Sequence, residues 1–270
     1  MTSPDRKTRG RTAPGRLQGL DAYLLHEERA LLARREGSWA HAAFVDVGFG
    51  EHPWTTLESA RALRALNPRL PVIGVEQEAH RVEAAAVHRD ADTDFRLGGF
   101  DLPLGPAERV RLIRALNLLR GYPENAVGGV HRKLGGALLD GGLLVEGSTD
   151  ATGGVGVAYL LRRRGDGIAR EALLFHTDFS HGFAPVLFRD WLPRDLRRRV
   201  RPGQPIHGFF ADWTAAWEEA RAGSSLAPAA AFRESLPRLA GRREGVSTDA
   251  WLAEHGYLLW KPQGGVPEPR

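Results

Sequence analysis

Short apolar runs alternate with segments of helical spacing along most of the chain from residue 42 onward. Strands separated by helices are typical of βαβ units, so the pattern predicts an α/β fold with a Rossmann-like, doubly wound, mostly parallel sheet. A Thr-x-x-Glu capping box at Thr55 marks the start of the first intervening helix. The predicted strands are Ala43–Val47, 71–76, 94–98, 110–119 and 143–147, and the predicted helices are 55–66, 79–89 and 124–139.

The regions on either side of this alternation are less regular. Leucines at helical spacing predict an amphipathic N-terminal helix after a tail rich in Ser, Thr, Pro, Gly and Arg, which we expect to be disordered. In the second half, further strands are predicted at 171–179 and 256–260, and a helix at 206–220. We therefore divide the chain into five parts. They are a basic tail (1–16), the N-terminal helix (17–41), the first half of the sheet (42–150), the rest of the sheet with its helices (151–262) and a C-terminal tail (263–270).

The amino-acid composition excludes several classes of protein. The chain has 270 residues, of which 42% are hydrophobic and 26% charged, as expected of a globular protein with a substantial core. No apolar run approaches the roughly 18 residues that a transmembrane helix needs, and the first thirty residues lack the apolar segment of a secretory signal. The absence of cysteine excludes disulfides, thiolate metal sites and a cysteine nucleophile. We expect a cytoplasmic protein.

The net charge of +4 lies entirely in the tail. Residues 1–20 carry five basic side chains against one aspartate, so the remaining 250 residues are formally neutral. A basic domain surface is the usual footprint of a nucleic-acid-binding protein. We therefore expect a small-molecule partner, and a nucleic acid remains open only through the arginine-rich tail.

The first predicted strand runs into a glycine turn that is typical of a ligand site. In the run Phe44–Glu51, Asp46 precedes two glycines, Gly48 and Gly50, and Glu76 closes the second strand 26 residues after Gly50. Glycines at such a turn let the backbone approach a ligand, and an acidic residue at the end of the next strand can bind ribose hydroxyls. Acidic groups around the turn favour a ligand with positive charge over a pyrophosphate. Pro53 stands at the third glycine position of the dinucleotide fingerprint, which argues against an NAD(P)-dependent oxidoreductase. This class of enzyme remains the less favoured alternative.

These residues resemble the class I S-adenosylmethionine-dependent methyltransferases. The pattern Asp46-x-Gly48-x-Gly50 followed by Glu76 is similar to their cofactor motif. The strings VDVGFGEHPWTTLE, VIGVEQEAHRVEAA, DFRLGGFDLPL and IRALNLLRGYPE resemble a poorly characterised bacterial subgroup of that superfamily. The resemblance covers about residues 42–150, and it implies a seven-stranded sheet whose last strand is antiparallel, with 256–260 as the candidate.

The resemblance implies S-adenosylmethionine as the cofactor and gives each site residue a role. The segment Gly48–Phe49–Gly50 would shape the turn under the methionine part, and Asp46 would lie near its amino group. Glu76 would hold the ribose. Phe100 would stack on the adenine, Asp101 would pair with its exocyclic amine, and Asn117 would face the methyl group or the substrate.

The implied activity is methyl transfer to an O or N atom of an unknown acceptor of small or medium size. There is no N/D-P-P-Y/F motif after the fourth strand, which argues against the amino-methylating DNA and glutamine enzymes. Asn117 and His176 are the candidates for a catalytic role. His176, Asp178 and His181 lack a fourth ligand, so no metal site is predicted. A protein that binds the cofactor without catalysis is the other alternative, and the oligomeric state is not predicted.

Overall fold

The computed structural model describes residues 12–223 and 225–266. Within these ranges the strands are β1 (Ala43–Val47), β2 (Val72–Glu76), β3 (Thr93–Leu97), β4 (Val110–Leu116), β5 (Leu138–Thr149), β6 (Val155–Arg164), β7 (Gly167–Thr177) and β8 (Tyr257–Trp260). The helices are α1 (Gln18–Glu27), α2 (Arg29–Ala33), α3 (Trp54–Leu63), α4 (Ala79–Ala85), α5 (Val127–Gly136), α6 (Arg194–Arg197), α7 (Pro205–Arg221), α8 (Pro228–Ala240) and α9 (Ala250–Glu254). None of the helices in these ranges combines the length and the apolar character that a membrane crossing requires.

All eight strands form one sheet in the order β3-β2-β1-β4-β5-β6-β7-β8. The strands from β3 to β5 pair in parallel, and β6, β7 and β8 continue the sheet as an antiparallel meander. The prediction of a doubly wound, mostly parallel α/β sheet is confirmed. The last strand lies where it was predicted and is antiparallel, although the described sheet has eight strands where the resemblance implies seven.

The two faces of the sheet are covered by different helices because successive strand residues point to opposite sides. Phe44 of β1 packs with the N-terminal helices, in a cluster that includes Leu24 and Leu63. Val45 points to the other side and belongs to a cluster that includes Leu134 of α5 and Trp213 of α7. Both faces are thus buried, and the ligand-binding candidates lie at the edge where the parallel strands end.

The strand β6 was missing from the prediction. Its residues 155–161 are buried without alternation, because β5 and β7 flank it and helices cover the sheet. A short apolar run of this kind has no period that identifies a strand. Glycines precede it and three arginines, Arg162–Arg164, end it, which is typical of a loop or a solvated surface as much as of a central strand.

Ordered structure extends beyond the predicted boundaries at both ends. The backbone N–H of Gly15 donates to the Glu58 carboxylate, and the Arg16 Nε donates to the carbonyl of Asp150 at 2.8 Å. At the other end, Val266 is buried and its N–H donates to the carbonyl of Arg170 at 2.8 Å. The rest of the two predicted tails, residues 1–11 and 267–270, lies outside the described residues.

Candidate functional site

The glycine turn follows β1 at the carboxyl edge of the sheet. Gly48 and Gly50 have φ angles of 74° and 85°, which disfavour residues with a side chain. A Cβ atom at Gly48 would lie 2.3 Å from a methyl carbon of Leu118, so the two loops touch there. The neighbours of β1 are β2 and β4, whose connections leave in opposite directions along the sheet. Ligands of doubly wound folds bind at such a switch point, outside the carboxyl ends of the strands.

Glu76 ends β2 beside this turn, and its side chain is buried with 1% of its surface exposed. One carboxylate oxygen accepts the N–H of Gly50 at 2.9 Å, and the other accepts the N–H of Gln77 at 2.8 Å. The guanidinium of Arg81 lies 3.6 Å from the second oxygen. These donors hold a buried carboxylate in the wall of the crevice, directly against the glycine turn.

Asp46 lies below the turn and is part of a buried ion pair. Its two oxygens accept hydrogen bonds from the Arg114 guanidinium at 2.9 and 2.8 Å, and Oδ2 accepts the hydroxyl of Thr56 at 2.6 Å. Arg114 has no exposed surface, and Asp46 is 4% exposed. The carboxylate that was predicted to lie near a cofactor amino group is therefore already paired with a cation. As a cofactor-binding residue Asp46 stays a prediction, and its observed partner is the Arg114 guanidinium.

Asp21 of α1 completes the network from the other side. The Arg114 guanidinium lies 3.2 Å from its carboxylate, which also accepts the Ser59 hydroxyl. Burial raises the pKa of Asp21 to about 6, and the charge of Arg114 opposes the shift. One buried cation thus joins α1, β1, α3 and β4 beneath the crevice.

The residues after β3 are only partly brought to the crevice. The Phe100 ring lines it and makes an edge-to-face contact with Tyr122, with ring centroids 5.5 Å apart. The Asp101 carboxylate is 86% exposed and pairs with Lys133 at 2.5 Å, outside the crevice lining. Phe49 turns away from the crevice and packs edge to face against Phe95 at 5.3 Å.

β4 ends at Leu116, three residues before the predicted strand end at Leu119, and Asn117 follows it directly. Its φ of 62° breaks the extended backbone, and its N–H donates to the carbonyl of Gly147 at 2.7 Å. The side-chain oxygen accepts the N–H of Thr149 at 3.1 Å. Asn117 therefore ties the ends of β4 and β5 together and directs Leu118 over Gly48.

The crevice is closed in this structure. Its cavity has a volume of about 20 Å³, room for roughly one water molecule, whereas small-molecule sites usually measure about 300–1,000 Å³. A ligand of nucleoside size has to displace side chains at the mouth, where Leu118, Phe100 and Tyr122 meet. The residues that line the cavity are Val47, Gly48, Glu76, Gln77, Gly98, Gly99, Phe100, Leu118 and Tyr122.

His176 lies away from the crevice, under α1. Its imidazole stacks on Tyr257, with ring centroids 4.8 Å apart, and a Cβ at Gly19 would lie 2.3 Å from it. Burial lowers the pKa of His176 to about 4, against the opposing charge of Asp178. Nearby, His181 contacts the Asp150 carboxylate at 3.0 Å. In the described ranges no three His, Cys, Asp or Glu side chains form a group that could hold a metal ion.

Three residues of this region were not assigned their observed places from the sequence. Leu118 and Tyr122 form the mouth of the crevice, but apolar residues after a strand give no signal that distinguishes a gate from core. For Arg114 the signal is a charged residue inside an otherwise apolar strand, because such a residue needs an internal partner. The structure assigns it the structural role.

Comparisons with known proteins give likenesses of fold only. No family model matches the chain, and no curated protein matches it. Among solved structures, it is similar to magnesium protoporphyrin IX methyltransferase from Synechocystis PCC 6803, with a TM-score of 0.35 and 15% identity over 48% of this chain and 53% of that one. For human N-acetylserotonin methyltransferase, the TM-score is 0.31 and the identity 18%, over 48% of this chain and 36% of that chain.

A structure described as a pericyclic reaction enzyme is similar at the same level, with a TM-score of 0.33 and 20% identity over 44% of this chain and 30% of that one. The chain thus spans between about a third and a half of the length of these three proteins. Their likeness does not assign an activity, so a function for this chain has to be argued from its own site.

Proposed function

We propose that this chain is an S-adenosylmethionine-dependent methyltransferase that acts on an O or N atom of a small or medium-sized acceptor. The observation that carries the proposal is the buried Glu76 carboxylate held against the Gly48–Gly50 turn at the switch point of the sheet. A carboxylate in this place suits ribose hydroxyls, and a turn without side chains suits close approach of a ligand to the backbone. The resemblance of the sequence motif points to the same cofactor.

The side chains present fit such a ligand once the mouth opens. Glu76 would bind the ribose, the glycine turn would lie under the methionine part, and the Phe100 ring would cover the adenine. Bound S-adenosylmethionine would supply a methyl group that is already activated by its sulfonium. The protein then has to orient the acceptor and exclude water, and apolar side chains such as Leu118 and Tyr122 can do the latter.

Neither catalytic candidate lies in the crevice lining. The Asn117 side chain bridges two strands, and the His176 imidazole is covered by α1. Glu76 is the carboxylate among the residues that line the cavity, and it serves the ribose in this proposal. We therefore assign no general base, and the acceptor releases its proton to solvent or attacks through a free lone pair.

Replacement of Glu76 by alanine is expected to weaken the binding of S-adenosylmethionine at least about tenfold, because a hydrogen bond to a charged group contributes roughly 1.5–3 kcal/mol. Titration calorimetry measures the affinity. Glu78→Ala is the matched control, since this neighbouring carboxylate lies outside the cavity lining. Equal affinity of wild type and Glu76→Ala would remove the ribose role.

Two further measurements separate the alternatives. Binding of NAD(P) in place of S-adenosylmethionine would favour an oxidoreductase. Release of S-adenosylhomocysteine in the presence of cell extract distinguishes an enzyme from a protein that only binds the cofactor. Binding without any release, across extracts of different composition, would contradict the methyltransferase proposal while leaving the site in place.

A further inference from the structure

Two adjoining cavities beside the crevice are lined mainly by arginine. One, of about 630 Å³, lies between α5 and α6, and the other, of about 680 Å³, lies between α6 and the residues around Arg120 and Asp190. Arg194 and Arg198 line both of them. We call this surface the arginine face; its arginines are Arg120, Arg132, Arg170, Arg189, Arg194, Arg197, Arg198 and Arg199.

The positive charge of the arginine face is only partly compensated. Among the described residues that line the two cavities, the carboxylates are Glu124, Asp190 and Asp195. Asp195 is buried and lies 2.9 Å from Arg170, which neutralises one arginine. Asp190 is 82% exposed and lies 3.3 Å from Arg197, an arrangement in which water screens the attraction. Eight cations against three anions leave a strong local excess in a domain that is neutral as a whole.

Arg120 shows the effect of this excess. Burial lowers its pKa, and the positive charge of Arg197 lowers it further against the opposing charge of Asp190. Its buried Nη1 atom has no hydrogen-bond partner among the described residues. The guanidinium lies over the Trp191 ring, 4.7 Å from the centroid, which holds it in place. A fixed cation with a spare donor is suited to an anionic ligand.

The arginine face shares a wall with the crevice. The segment 118–124 contributes Leu118 and Tyr122 to the crevice and Glu124 to the first arginine cavity. The Arg194 Nε donates to the Tyr122 carbonyl at 2.6 Å, so the arginine is bonded to the backbone of the crevice mouth.

We propose that the arginine face binds a ligand that carries two or more phosphate groups and places part of it at the mouth of the crevice. Guanidinium groups bind phosphate oxygens in pairs of parallel hydrogen bonds, and two adjoining cavities suit successive phosphates better than a single one. Two sources offer this chemistry, a nucleic-acid strand and a small polyphosphorylated molecule. The binding itself does not depend on the proposed methyl transfer.

The test uses the full chain and two probes, in an assay that contains no S-adenosylmethionine. Fluorescence anisotropy measures the binding of a labelled single-stranded RNA of about twelve nucleotides, and inorganic triphosphate is the competitor. The double variant Arg197→Ala/Arg198→Ala, which removes two exposed side chains, is expected to weaken RNA binding about tenfold at about 100 mM salt. The slope of log affinity against log salt should fall by about 1.4.

The matched control is Arg61→Ala/Arg233→Ala, which removes two exposed arginines that line neither cavity. Competition by triphosphate at concentrations comparable with the dissociation constant of the RNA identifies a small polyphosphate ligand, whereas competition only at a large excess identifies a strand. Absence of binding to both probes, or equal losses in the two double variants, would overturn the proposal. Since the assay contains no S-adenosylmethionine, either result leaves the assignment of Glu76 to be judged by calorimetry.

Discussion

Replacement of Arg114 by methionine is expected to lower the free energy of unfolding by about 3–5 kcal/mol at about pH 8, the range for removing one partner of a buried ion pair. The substitution leaves the carboxylates of Asp21 and Asp46 buried without their cation. Urea denaturation followed by circular dichroism measures the loss. It should shrink as the pH falls to about 5, because Asp21, whose pKa burial raises to about 6, can then be buried in its neutral form.

Arg61→Met is the matched control, because this arginine is exposed on α3, the helix whose Thr56 contacts the network. Its effect should stay within about 0.5 kcal/mol. If Arg114→Met proves too unstable to purify, the double variant Asp46→Asn/Arg114→Met removes one buried charge of each sign and should recover part of the loss. A loss that does not change with pH would contradict the electrostatic explanation.

Acidification should destabilise the protein through His176. In the folded protein His176 has a pKa of about 4, so it stays neutral until the pH falls close to 4. In the unfolded chain the same imidazole takes up a proton below about pH 6.5. The contribution to stability is therefore complete above pH 6.5 and is lost as the pH falls towards 4. At 1.36 kcal/mol for each pKa unit, the loss amounts to about 3 kcal/mol.

The variant His176→Gln isolates this contribution, because it removes the titration and keeps a polar side chain. The free energy of unfolding of the wild type minus that of the variant should fall by about 3 kcal/mol between pH 6.5 and pH 4. Asp21, with its raised pKa, gives the opposite slope in both proteins and cancels in this difference. The exposed His88→Gln is the control. A difference that is constant across this range would show that His176 is protonated in the folded protein.

The first half of the sheet was predictable because each of its strands is separated from the next by a helix or a glycine-rich turn. β1, β2 and β3 lie within or close to their predicted bounds for that reason. Two limits of the prediction have physical causes. A central antiparallel strand such as β6 is apolar on both faces and shows no alternation, and the left-handed backbone of Asn117, which ends β4, is not marked by a glycine.

The sequence predicted the location of the candidate site better than it predicted how the side chains there are paired. The spacing of Gly48, Gly50 and Glu76 brought these three residues together, as expected for the carboxyl edge of a parallel sheet. The partner of Asp46 could not be read in advance, because the pairing with Arg114 depends on the neighbouring positions of β1 and β4. The net charge was misleading for a similar reason. The formal charges of residues 21–270 sum to zero, and this sum does not show that the fold places eight arginines on one surface.

Arg111 differs from Arg114 in how its charge is held. Its side chain is wholly buried and donates to main-chain carbonyls of the N-terminal segment, among them those of Leu31, Arg34 and Ala42 at 2.7–2.9 Å. Peptide oxygens have no proton to gain at mildly acidic pH, so these bonds persist where carboxylate partners are neutralised. The attachment of α2 and of the segment after it to the central strand β4 is consequently resistant to acid. Loosening at low pH should begin instead at α1, which covers His176 and is joined to β4 through the Asp21 carboxylate.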